Sequence, residues 1–402
     1  MNQLLHTPEG VRDIYQGECQ KLLLTKEKIH NVFSSYGYED IKTPTFEFFD
    51  IYSKERGSVA SKNMYKFFDR EGYTLVLRPD MTPPIARCAA KYYMEEELSL
   101  RFTYDADTFI NNNEHQGKLK EMNQMGCELI GDASSNADAE ILAMAVESML
   151  KAGLTEFMVE VGHADFFHGL VEEAGLDNEE IDELRKLING KNFFGVEQFL
   201  DSLKIDSSIK DTLLALPKLF GNKDVLSKAK SMTQNSLSLK AIERLEKVLD
   251  ILKDYGYDKY VTVDLGLLGN YNYYTGIVFH GYTYGVGDPI LTGGRYDNLL
   301  AQFGKKAAAT GFAIVVDFLM VALDRQKIKV LPKSKKIILL YEKTKSTQAI
   351  QTARELRKKG DRLTLIRKRS YLSLEEYVAH AKAREVDSLQ YLKEDGSIET
   401  LI

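Results

Sequence analysis

Strand-like and helix-like patterning are segregated along this chain. From about residue 168 to 255, Leu and Ile recur among acidic and basic residues at helical spacing with no alternation. β-rich runs crowd both sides of that block. Before it come Tyr38 to Pro44, Tyr65 to Phe68, Tyr73 to Arg78, Ser99 to Phe109 and a polar strand from Lys118 to Ile130. After it come Tyr260 to Asp264, Tyr273 to Tyr284 and Pro289 to Leu291. Helices repeat their apolar residues every three or four positions and strands every two, so one pattern cannot serve for the other. A sheet gathered from both sides of a helical insert satisfies this order. Arg70-Glu71-Gly72 between two of the runs is a hairpin signal, and short strands of this kind favour antiparallel pairing. The expected class is α+β, not doubly wound α/β.

The same reading predicts helices at about 18 to 35, stopped by Gly37, at 85 to 93, at 136 to 152 and at 308 to 324. The second is admitted by Pro83 and Pro84, because proline is tolerated in a first turn. Leu331-Pro332-Lys333-Ser334 punctuates the chain. Beyond it, strand and helix alternate as a small βαβ module. Two domains follow: 1–328, with the insert at about 168–255, and 333–402. The second carries 16 Lys and Arg against 10 Asp and Glu, in a chain whose net charge is −6.

That balance argues against nucleic acid as a partner, since the whole chain offers no basic field. The basic runs Arg357-Lys358-Lys359 and Arg367-Lys368-Arg369 read as solvated helix ends, with no aromatic platform for single strands. Cys19, Cys88 and Cys127 form no CxxC pair, which excludes a disulfide framework and places the chain in the reducing cytosol. No stretch approaches the ~20 apolar residues of a membrane span. His163 and His168 lie five apart on different faces of a helix and suit no metal. Gly293-Gly294 reads as a tight turn without a phosphate-binding pattern around it, so no phosphate cradle is expected there.

Five segments in order resemble the class II aminoacyl-tRNA synthetases of the histidyl type, over most of residues 5 to 325. Tyr36 to Pro44 looks like motif 1, whose proline lies at the dimer interface. Leu77-Arg78-Pro79-Asp80-Met81-Thr82 resembles the amino-acid-pocket strand, and Gly117 to Gly131 the second half of motif 2. Tyr273-Tyr274-Thr275-Gly276 resembles the histidine-specific signature. Gly293 to Asp297 with Gly311 to Ile314 resembles motif 3.

The departures matter more than the matches. Three arginines that this family uses to hold ATP fall on Ile110, Gly269 and Phe318. Arginine suits that task because it stays charged and binds phosphate bidentately, and only Arg101 and Arg295 lie near enough to replace it. The resemblance leaves a site for a small zwitterion bearing an imidazole. Gln124 and Glu128 match positions for the ammonium and the ring, and Asp80 and Thr82 match ammonium and backbone contacts. Tyr273, Tyr274 and Tyr296 would be aromatic walls. Alternation sends Tyr273 and Tyr274 to opposite faces, so Tyr274 is the expected contact.

This combination resembles the ATP phosphoribosyltransferase regulatory subunits, synthetase-like proteins that accompany the short form of the catalytic subunit. The resemblance implies a cytoplasmic, non-catalytic subunit of histidine biosynthesis that senses L-histidine, dimerises near Pro44 and needs no cofactor or metal. Two other readings stay open: a divergent histidyl-tRNA synthetase, and a histidine-binding paralogue with another partner.

Overall fold

The computed structural model describes residues 3–53, 59–111, 118–268, 274–331 and 334–402. The chain divides into two compact units, 1–330 and 331–402. The first unit opens with α1 (Gln16–Ser35), which buries Ile29, Val32 and Phe33 on one side. Gly37, at φ +81°, turns the chain after it, as only glycine does without strain. Then come β1 (Glu39–Asp40), β2 (Phe46–Phe48), β3 (Lys66–Phe68), β4 (Thr74–Leu77), α2 (Thr82–Tyr92), β5 (Leu100–Phe109), β6 (Glu121–Ile130), α3 (Ser135–Ala152) and β7 (Phe157–His163). The helical block holds α4 (Ala164–Glu173), α5 (Asn178–Asn189), α6 (Phe193–Ser202), α7 (Ser207–Ala215), β8 (Phe220–Gly221), α8 (Asp224–Lys230) and α9 (Ser236–Asp254). The unit closes with β9 (Val261–Asp264), β10 (Ile277–Thr283), β11 (Leu291–Arg295), β12 (Ala309–Val315) and α10 (Val316–Arg325).

Nine strands form one sheet in the order β1-β5-β6-β12-β11-β10-β7-β9-β8. Its centre is antiparallel from β5 to β7, while the flanking pairs β1–β5 and β7–β9 are parallel. The block α4 to α9 is therefore the crossover between two parallel neighbours. It is not purely helical, because β8 pairs with β9 at the sheet edge. Two residues are too few for alternation to show in sequence.

The two faces of the sheet bury different partners. One face packs Met125, Cys127 and Leu129 of β6 against α1, α3 and α10 in the main core. The other packs Phe102 and Tyr104 of β5 under Ile85 and Ala89 of α2, beside Tyr274, Val278 and Tyr296. Odd and even positions of β6 thus serve opposite layers, as strand pleating requires.

Two expectations need correction. The apolar run 308–324 is not one helix, since its first half is β12 and α10 begins at Val316. Residues 310–314 are paired on both sides, so strand β12 is largely apolar and buried and mimics a buried helix. Likewise Gly293-Gly294 is no turn. Both glycines lie within β11, opposite Phe312 and Gly311 of β12 and Phe279 and Val278 of β10.

The second unit contains β13 (Lys336–Tyr341), α11 (Ser346–Lys358), β14 (Arg362–Arg367), α12 (Leu374–Ala383), β15 (Ser388–Leu392) and β16 (Ile398–Thr400). The strand order is β14-β13-β15-β16, parallel except for the last pair. The run Ile337 to Leu340 is continuously apolar because the sheet is covered on both faces: Ile337 and Leu339 face Ala349 and Ala353, whereas Ile338 and Leu340 face Tyr377 and Ala381. No helix among the described residues of either unit is long and apolar enough to cross a membrane.

Candidate functional site

Gln124, Gly126 and Glu128 are successive same-face residues of β6, aimed at the α2 layer. Glu128 is 1% exposed. Thr82 Oγ1, in the first turn of α2, donates to its Oε1 at 2.9 Å, and the hydroxyl of Tyr296 donates to its Oε2. Asp80 Oδ1 accepts from the backbone N–H of Thr82 at 3.1 Å and so fixes the start of that helix. Across the β6–β12 pair, Gly311 lies opposite Glu128, and a Cβ there would come 1.9 Å from Oε2. Only glycine leaves room for the carboxyl. Gly294 does the same for Tyr274, whose ring would meet a Cβ at 2.7 Å.

Asp80, Thr82, Gln124, Glu128, Tyr274 and Tyr296 line one pocket, with Thr292, Gly293 and residues 311 to 313 closing its strand side. Tyr273 and Gly269 lie outside the described residues. Tyr274 is held by its neighbour: Thr275 donates its N–H to Arg295 O at 2.8 Å and accepts at Oγ1 from Asp297 N at 2.9 Å. The space open to the centre of a water-sized sphere is about 30 Å³, more than the ~10–15 Å³ that one ordered water needs.

Sequence reasoning missed Tyr104, which sits opposite Gly126 on the same sheet face, with its hydroxyl where a Cβ of Gly126 would fall, 2.4 Å away. The register of β5 against β6 was the missing information, since pairing alone puts Tyr104 between Gln124 and Glu128.

No cation lines the pocket among the described residues. Ile110 donates its N–H to Lys120 O at 2.9 Å, and Phe318 packs against the main core. The two arginines named above as possible replacements are committed elsewhere. Arg101 binds Glu140 at 3.1 Å and Ser99 at 2.7 Å. Arg295, 5% exposed, joins Asp138, which also holds Arg244, and contacts Asp297 at 3.1 Å. A larger cavity of about 330 Å³ lies on the opposite sheet face, between Arg12, Lys26, Asp107, Glu121 and Asp317. Its cations are also paired, Lys26 with Asp105 at 2.7 Å and Arg12 with Glu18 at 2.5 Å.

His163 is not on a helix face. It ends β7 and caps α4, its Nδ1 accepting from Asp165 N at 3.2 Å, and burial lowers its pKa to about 4. Pro44 is exposed, and the Arg78 guanidinium donates to the carbonyls of Thr43 at 3.0 Å and Pro44 at 3.2 Å, with its Nε on Asp107 O at 2.7 Å. Arg78 is therefore a clamp between segments.

The histidyl-tRNA synthetase family model matches residues 10–319. An ATP phosphoribosyltransferase regulatory subunit of Ruminiclostridium cellulolyticum is 41% identical over 98% of this chain and 94% of its own length. The protein of that name from Acetivibrio thermocellus is 42% identical over 89% of this chain and 85% of its own. A solved ATP phosphoribosyltransferase regulatory subunit/histidyl-tRNA synthetase from Bacillus halodurans superposes with a TM-score of 0.86 at 30% identity, over 96% of this chain and 98% of that one. A histidyl-tRNA synthetase from Nostoc shares the fold, with a TM-score of 0.83 at 20% identity over 99% and 96% of the two chains. By these matches the chain belongs to the ATP phosphoribosyltransferase regulatory subunit family, on the histidyl-tRNA synthetase fold.

Proposed function

We propose that this chain is the non-catalytic partner of a short-form ATP phosphoribosyltransferase catalytic subunit in the cytoplasm, and that it binds L-histidine and transmits feedback inhibition. The observation that carries this reading is one pocket with two properties. It offers Glu128, Gln124, Asp80 and Thr82 for an amino acid, and among the described residues it presents no cation for a nucleotide's phosphates. ATP and phosphoribosyl chemistry then belong to the catalytic partner, and this chain needs no cofactor or metal. Tyr274 and Tyr296 flank the ligand, and Tyr273 is assigned to the same site by its place in the signature. A rearrangement of this lining when histidine binds would be the physical basis for coupling to a second subunit.

A short catalytic subunit that is inactive alone should gain phosphoribosyl transfer when this chain is added, and the two should co-purify. Absence of both gain and co-purification removes the regulatory reading and favours a paralogue with another partner.

We also assign an isologous homodimer to the segment around Pro44. Phe46 and Phe48 of β2, Phe67 of β3 and Tyr73 before β4 stand 36–61% exposed on one face of the small β2-β4-β3 sheet. Phe46 and Phe67 meet edge to face at 5.7 Å, as do Phe48 and Tyr73 at 5.9 Å. So much exposed aromatic surface marks an interface. Sedimentation of the wild type at micromolar concentration should give a dimer, and Phe46→Glu should shift it toward monomer; a monomeric wild type refutes the assignment.

A further inference from the structure

Glu128 is enclosed by neutral and acidic groups from every element packed against it. Its own strand presents Gln124, α2 presents Asp80 and Thr82, and β5 brings Tyr104. The segment before β10 supplies Tyr274, and the end of β11 supplies Tyr296. From β12 come only Gly311, Phe312 and Ala313. No Lys, Arg or His lines this pocket among the described residues. Both hydrogen bonds to the carboxyl come from hydroxyls, Thr82 Oγ1 at 2.9 Å and Tyr296 Oη. A buried carboxylate without a countercharge is costly, and proteins avoid that cost by neutralising it.

We propose that Glu128 stands in the unliganded pocket as a carboxylic acid and hands its proton to the ring of the arriving histidine, which is then held as an imidazolium against the carboxylate. The inference rests on the reading that histidine occupies this pocket. In the step, the Oε–H bond of Glu128 breaks, its electron pair stays on oxygen, and an N–H bond forms at the unprotonated ring nitrogen. No other reactant is needed, and the charge of the pair is unchanged in total. Burial supports the starting state, lifting the Glu128 carboxyl to about 8 with Asp80 adding to the rise, against the lowering effect of the two hydroxyls. The pocket thereby discriminates by basicity as well as shape, because a ring that cannot take the proton leaves either a buried unpaired charge or a neutral contact.

The test counts protons by titration calorimetry of the full chain with histidine, in two buffers of different ionisation enthalpy, for wild type and Glu128→Gln. Free histidine titrates near 6.5. At pH 7 the donor and acceptor exchange a proton internally, so the uptake of wild type minus variant should be close to zero. At pH 9 Glu128 has already lost its proton, and the difference should rise to about one. A difference near one at both pH values means the free carboxyl is ionised, and a difference of zero at both means the ring binds neutral; either result overturns the proposal. Because the count is the same whether the proton moves to the ring or stays on the carboxyl, infrared difference spectra of the wild type place it: the carbonyl stretch of a protonated carboxyl must disappear when histidine is added at pH 7, and its persistence overturns the proposal, whether or not the variant binds. Absence of saturable histidine binding by the wild type sinks the site reading itself, a separate and recognisable failure.

Discussion

Incubated with ATP, histidine and labelled pyrophosphate, the purified chain is expected to show no histidine-dependent exchange above a no-enzyme control. Adenylate formation needs fixed cations where charge develops on phosphate, and removing one such anchor costs roughly 10²- to 10³-fold. The resemblance places three such anchors at Ile110, Gly269 and Phe318, none of which is a cation, and groups acting as a unit do not fail additively. Arg101 and Arg295 cannot be borrowed without breaking their pairs with Glu140 and Asp138. Returning arginine at Ile110 alone should leave exchange at background. At Phe318 the outcome should be worse than silent, because an arginine there would place a charge against the main core that Phe318 packs on. Measurable exchange by the wild type would restore the synthetase reading.

The second large effect concerns histidine control. In a complex assembled with Glu128→Gln, phosphoribosyl transfer should persist while inhibition requires about 10- to 100-fold more histidine, since a hydrogen bond to a charged group contributes about 1.5–3 kcal/mol. The amide is near-isosteric, so it keeps its place over Gly311, where Glu128 Oε2 leaves no room for a side chain. Glu128→Asp shortens the side chain and withdraws the carboxyl from the hydroxyls of Thr82 and Tyr296, so it should cost stability as well as affinity. Unchanged histidine potency in an active Glu128→Gln complex would move the effector site elsewhere. Stability separates structural from binding effects. Because the folded Glu128 carboxyl is raised to about 8, above the unfolded value near 4.3, the folded state holds the proton more tightly. Its contribution is complete below that unfolded value and is lost as pH climbs through 8, at up to about 1.4 kcal/mol per pH unit. Glu128→Gln removes this slope and should melt higher than wild type at pH 9.

What could be read from the chain follows from which forces are local. α1, α3 and the βαβ module repeat their own apolar spacing and end on recognisable residues, such as Gly37 and Gly153 at positive φ. Gln124 and Glu128 could be placed on one face because β6 alternates by itself. Tyr104 could not, since its place beside Gly126 depends on the register between two strands. Nor could β11 and β12. A strand paired on both sides and apolar on both faces has no alternation left, and glycines that make room for Glu128 and Tyr274 look like turn residues until the groups they admit are known. Arg295 stood out by its charge, but only the fold reveals that Asp138, 157 residues away, has claimed it. Partner choice, unlike these, is set by surfaces whose complement lies on another molecule.

The bond between Glu128 and Tyr296 spans 168 residues, and its length in sequence has a consequence for synthesis. A ribosome adding roughly 5 to 20 residues each second makes Glu128 and then spends about 10 to 30 s before Tyr296 appears. β12, which supplies Gly311 and closes the pocket, comes later still. Through that interval β5 and β6 can pair, yet the carboxyl remains in water and unshielded. The pocket is thus a late product of biogenesis, and no chain truncated before β12 carries it.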